Sequence, residues 1–80
     1  MAISNIPPRT IDALDRYVEH RIPTGGFLQA VLENDLFAAM GKADVYNRQS
    51  LFDIVEYIYN ELPRACWGSP DAVETWLEGK

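Results

Sequence analysis

The stretch TGGFLQAVLENDLFAAMG, from Thr24 to Gly41, decides the fold. Projected at about 100° per residue, it leaves Gln29 and Glu33 on a narrow polar face. Phe27, Leu28, Ala30, Val31, Leu32, Leu36, Phe37, Ala38, Ala39 and Met40 cover most of the rest. A helix this apolar belongs inside a protein, so a helix over 25–40 is expected at the buried centre. Thr24 is placed to cap it through its hydroxyl, Gly25 and Gly26 fall in its first turn, and Gly41 closes it as a left-handed C-terminal residue. Asn34 and Asp35 are misfits inside the apolar arc. A buried Asp35 requires a cation, and Arg48 is the best placed to supply it.

Three further helices are expected around this one. Pro8 is favoured at a first helical position, and Ile11, Leu14 and Val18 recur at helical spacing, which gives a helix over 8–21 that Pro23 brings to an end. A helix over 44–61 places Leu51, Val55, Ile58 and Leu62 on one stripe, and Pro63 stops it. Ser69-Pro70-Asp71 combines a cap, a proline at the first position and a carboxylate at the positive end of the dipole. It opens a helix over 70–78 that packs Val73, Trp76 and Leu77. No strand-like alternation or internal repeat interrupts this pattern. The expectation is an all-α single domain over 1–80, a bundle of about four helices, with helix 70–78 seated on the pair 25–40 and 44–61.

Eighty residues make one core, worth about 4–12 kcal/mol at ordinary stability per residue, so self-association as a homo-oligomer would help the fold. The hydrophobic fraction of 48% supplies that core. A lone cysteine, Cys66, excludes an internal disulfide, and no secretory leader pattern opens the chain, which points to the cytoplasm. No apolar run reaches the length of a membrane span.

The net charge of -5 opposes docking on phosphate backbones, and so opposes direct nucleic-acid binding. A helix-turn-helix with Arg48 and Gln49 facing bases meets the same objection, since Asp44, Asp53 and Glu56 share the recognition helix. The same charge fits a basic protein partner. Tyr46 and Tyr57, off the core stripe, together with Asp53, Glu56 and Trp67, are the candidate contact residues.

Catalytic chemistry finds little material. One histidine, His20, and one cysteine cannot build a zinc site, no phosphate-binding glycine loop is present, and paired carboxylates such as Asp12 with Asp15 read as a solvated helix face. No metal or cofactor is expected, and the chain reads as a non-enzymatic protein. The remaining local feature is Thr24-Gly25-Gly26, where amides uncovered by side chains stand at the positive end of a helix dipole and could hold an anion. His20 and Arg21 precede the turn closely enough to add positive charge.

The combination of Pro23-Thr24-Gly25-Gly26-Phe27-Leu28, Ala30-Val31-Leu32, Asn34-Asp35-Leu36, Tyr59-Asn60 and Trp67-Gly68-Ser69-Pro70 followed by Trp76 resembles a set of short proteins encoded by bacteriophages and prophages. The resemblance covers most of the chain. It implies an accessory protein that acts in the bacterial host's cytoplasm, because small phage proteins outside the virion often mask a host protein or sequester a nucleotide-like defence signal. Two binding modes follow as expectations: an acidic surface on a host protein, or a small anionic, nucleotide-like ligand at Thr24-Gly25-Gly26. A minor virion component and a DNA-binding regulator are the rivals.

Overall fold

The computed structural model describes residues 6–79. Among them are six α-helices, one 3₁₀ turn and no strand: α1 Pro8–His20, α2 Gly26–Leu32, α3 Leu36–Lys42, α4 Val45–Gln49, α5 Leu51–Glu61, the turn Arg64–Cys66, and α6 Pro70–Leu77. The protein is all-α. No helix of the described residues is long and apolar enough to cross a membrane.

Two helices start and stop where their local chemistry dictates. α1 has Pro8 at its first position and ends as Arg21 turns left-handed at φ 56°. The amide of Ile22 then reaches back to the Arg16 carbonyl at 3.4 Å, closing the last turn. α6 opens on Ser69, whose hydroxyl accepts the Ala72 amide at 3.1 Å.

The segment expected as one helix over 25–40 is two. Asn34 adopts φ 66°, the Asp35 amide bonds to the Ala30 carbonyl at 2.8 Å, and the Asn34 amide bonds to the Val31 carbonyl at 3.0 Å. That closes α2 with the left-handed residue asparagine tolerates best after glycine. Asp35 then caps α3, accepting the Ala38 amide at 3.2 Å. The two misfits of the apolar arc are thus a stop signal and a start signal.

Three expectations change with that break. Asp35 and Arg48 are both exposed and form no buried pair, since Asp35 meets its need for a donor at the α3 amides. Gly41 lies within α3 instead of ending a helix left-handed. The re-aimed α3 buries Ala39 and exposes Leu36, Phe37 and Met40, with Phe37 89% exposed.

The segment 44–61 also divides. Asp44 caps α4 by accepting the Asn47 amide at 2.7 Å, and the chain bends at buried Ser50 (φ -104°, ψ 7°) before α5. The bend rotates the inward face of α5 to Ile54 and Ile58, leaves Leu51 and Leu62 half-buried, and turns Val55 outward.

The centre of the core takes one or two residues from most elements: Leu14 and Tyr17 of α1, Leu32 of α2, Ile54 of α5, Cys66 of the turn and Val73 of α6. The Gly68 amide donates to the Leu32 carbonyl at 2.7 Å, tying the last loop to the end of α2. α6 contacts α2 and the 3₁₀ turn. Trp76, expected on the pair 25–40 and 44–61, instead locks α6 to α1. Its indole Nε1 donates to the Tyr17 carbonyl at 2.9 Å, and the two rings meet at 6.5 Å between centroids.

Candidate functional site

Gly25 holds the turn before α2 at φ 110°, ψ 171°, a conformation essentially restricted to glycine. Thr24 does not cap the helix. Its hydroxyl donates to the Gly25 carbonyl at 3.3 Å, and Gly25 itself occupies the cap position with no side-chain partner for the amides. The first turn of α2 therefore presents uncapped N–H groups, as the paired glycines suggest.

These residues line one side of an open groove of about 430 Å³, whose other sides carry Arg9 and Arg16 from α1, Lys42 from α3, and Asp44 and Asn47 from α4. A Cβ built on Gly26 would stand 3.4 Å from Lys42 Cδ and 3.9 Å from its Nζ, so the ammonium lies beside the turn. Arg9 is partly committed: Nη2 donates to Asp44 Oδ2 at 3.2 Å, and its guanidinium sits 5.9 Å from the Tyr46 ring centroid. The Asn47 amide above all, and then Arg9, hold the Asp44 carboxyl below its usual range.

The expected cations are different ones. His20 is exposed and does not line the groove, while Arg21 Nη1 donates to the Trp76 carbonyl at 2.8 Å and its guanidinium lies 3.9 Å from the Trp76 ring centroid. The left-handed turn at Arg21 sends that side chain toward α6. Arg9, Arg16 and Lys42 take the place of His20 and Arg21. Lys42 arrives because the break at Asn34 folds α3 back along α2, and no signal local to the glycines announces it.

Replacing the glycines separates backbone from groove. Gly25→Ala is expected to cost about 1–3 kcal/mol through its positive φ alone, since nothing stands within 4 Å of its Cβ. Gly26→Ala, with helical backbone and only the flexible Lys42 nearby, should change stability by about 1 kcal/mol or less. Equal losses in chemical denaturation would show that the turn does not depend on the Gly25 conformation.

The candidate contact residues fall on separate surfaces. Tyr46 is exposed beside Pro7, Pro8 and Arg9. Tyr57 is half-buried on α5, where burial and then the nearby carboxylates of Asp15 and Glu61 raise its hydroxyl pKa. Asp53 and Glu61 stand one helical turn either side of Tyr57, and the Asp15 charge that reaches Tyr57 comes from α1, where Asp12, Asp15 and Glu19 are exposed. Glu56 is exposed but belongs with the outward side of α5.

Trp67 is half-buried, packed on Tyr59 at 5.8 Å between centroids and covered by the Arg64 guanidinium at 4.3 Å. It borders a hollow of about 170 Å³ with Val31, Asn34, Val55 and Tyr59.

Cys66 is wholly buried, and burial pushes its thiol pKa up to about 11, the opposite of what a nucleophile needs. Among the described residues no group of three or more His, Cys, Asp and Glu side chains is arranged to hold a metal ion. Neither family models, nor curated proteins, nor solved structures gave a match to the chain.

Proposed function

We propose that this is a non-enzymatic, phage-type accessory protein that neutralises a bacterial host component by stoichiometric binding, docking a basic host protein on the acidic face of α1 and α5. What supports this reading is the row of exposed carboxylates Asp12, Asp15 and Glu19 along α1 together with exposed Glu61 and half-buried Tyr57 on α5, whose hydroxyl pKa is raised by burial and then by the charges of Asp15 and Glu61. The ion pair Arg9–Asp44 engages neither Asp15 nor Glu61. Such a field speeds encounter with a positively charged partner, and a half-buried tyrosine can anchor it. The resemblance to phage-encoded proteins supports the setting, the host cytoplasm.

A tagged chain drawn through a bacterial lysate, with mass spectrometry of co-purified proteins and small molecules, tests it. A basic protein is expected that elutes as salt rises and is lost with Asp15→Lys plus Glu61→Lys. Retention by the charge-reversed chain would remove the acidic face from consideration.

A second reading rests on the groove at Gly25 and Gly26, where Arg9, Arg16 and Lys42 bring positive charge to an acidic protein. There the ligand is a small nucleotide-like anion. Calorimetry against cyclic dinucleotides and ADP-ribose derivatives separates the two, with Gly26→Val and Lys42→Ala expected to abolish ligand uptake and to leave the protein partner bound.

A further inference from the structure

The outward side of α4 and α5 carries a pattern that neither binding mode uses. Val45, Arg48, Phe52, Val55 and Tyr59 follow one another at intervals of 3, 4, 3 and 4, the spacing of a coiled-coil seam. Every one is exposed, Phe52 at 77% and Tyr59 at 70%. The bend at Ser50 does not break the ladder: its amide bonds to the carbonyls of Tyr46 and Asn47 at 3.2 Å, and its carbonyl accepts the Ile54 amide at 2.8 Å. Single exposed hydrophobics are ordinary, whereas a continuous stripe marks an interface.

We propose that this stripe is a self-association surface on which a second copy of the chain packs antiparallel about a twofold axis near Phe52. The axis maps each residue before Phe52 onto the one equally far after it. Arg48 then faces Glu56 of the second copy, twice over, and Val45 faces its Tyr59. Arg48 occupies a position of the stripe itself and Glu56 flanks it; both are exposed, so the pair can form across the two copies. Complementarity of this kind is a property of the sequence toward itself.

Val55 and Tyr59 of the stripe also line the hollow beside Trp67, together with Val31 and Asn34. Tyr57, Asp53 and Glu61 lie around the helix from this stripe, so the acidic face stays open in the dimer.

Sedimentation equilibrium over a concentration series is the test. The wild-type chain is expected to reach twice the mass of one chain, and Phe52→Glu to remain a monomer with an unchanged helical circular dichroism spectrum. Arg48→Glu alone and Glu56→Arg alone should each weaken the dimer by at least about tenfold, because each sets like charges face to face. The double variant, Arg48→Glu with Glu56→Arg, should recover the wild-type constant. A wild-type chain that stays monomeric throughout, a dimer indifferent to Phe52→Glu, or a double variant as weak as the singles overturns the proposal.

Discussion

Trp76→Ala is expected to lower the unfolding free energy by about 3 kcal/mol, the lower end for losing a large aromatic, because the indole is half-buried. Three interactions go with the ring. The Tyr17 carbonyl loses the indole donor at 2.9 Å and keeps only the Arg21 amide, Tyr17 loses a tilted ring contact, and the Arg21 guanidinium loses the ring 3.9 Å away. For an 80-residue chain with about 4–12 kcal/mol in total, that is a large share. At about 4–8 °C per kcal/mol for a domain of this size, the melting temperature should fall by more than about 10 °C. Trp76→Phe keeps the ring contact and removes the donor, and should recover part of the loss. A melt unmoved by Trp76→Ala would mean that α6 is peripheral to the core.

Tyr17→Ala should cost as much or more, about 3–5 kcal/mol, since the ring is 1% exposed at the middle of the core. Its hydroxyl donates to the Cys66 carbonyl at 2.8 Å, and burial pushes its pKa upward, so the group is a neutral donor throughout the working pH range. Tyr17→Phe leaves the Cys66 carbonyl without that partner and is expected to cost about 1–3 kcal/mol. Urea denaturation of the two variants separates ring from hydroxyl. An alanine variant no worse than the phenylalanine one would mean that packing of the ring contributes nothing. Because Tyr17 and Trp76 touch, combining Tyr17→Phe with Trp76→Ala should depart from additivity.

The elements that were legible in the sequence are those whose ends carry their own chemistry. Pro8, Pro23 and the Ser69-Pro70 pair mark α1 and α6 to within a residue or two, because each constrains its own backbone whatever surrounds it. Asn34-Asp35 carried an equally local signal, but it was outweighed by the apolar residues on both sides, which suggested continuous burial. The structure reverses that weighting: an asparagine able to turn left-handed and an aspartate able to cap are enough to end one helix and begin another. The position of Lys42 beside Gly26 depends on that reversal, so the groove's cations could not be read from the residues preceding the glycines. The outward stripe of α4 and α5 was hidden for a related reason. Val55 was expected on the inward stripe with Leu51, Ile58 and Leu62; Ile58 keeps that place beside Ile54, while Val55 joins Phe52 and Tyr59 on the exposed side.

The burial of Cys66 makes the protein its own chemical clock. A thiol-directed reagent finds no accessible sulfur in the native fold, so labelling proceeds only through molecules whose centre has transiently opened. When closing outpaces the reaction, the labelling rate is proportional to the open population, and each loss of about 1.4 kcal/mol speeds it roughly tenfold. The chain therefore reports on its own opening in native buffer, without denaturant and through a cysteine it already carries.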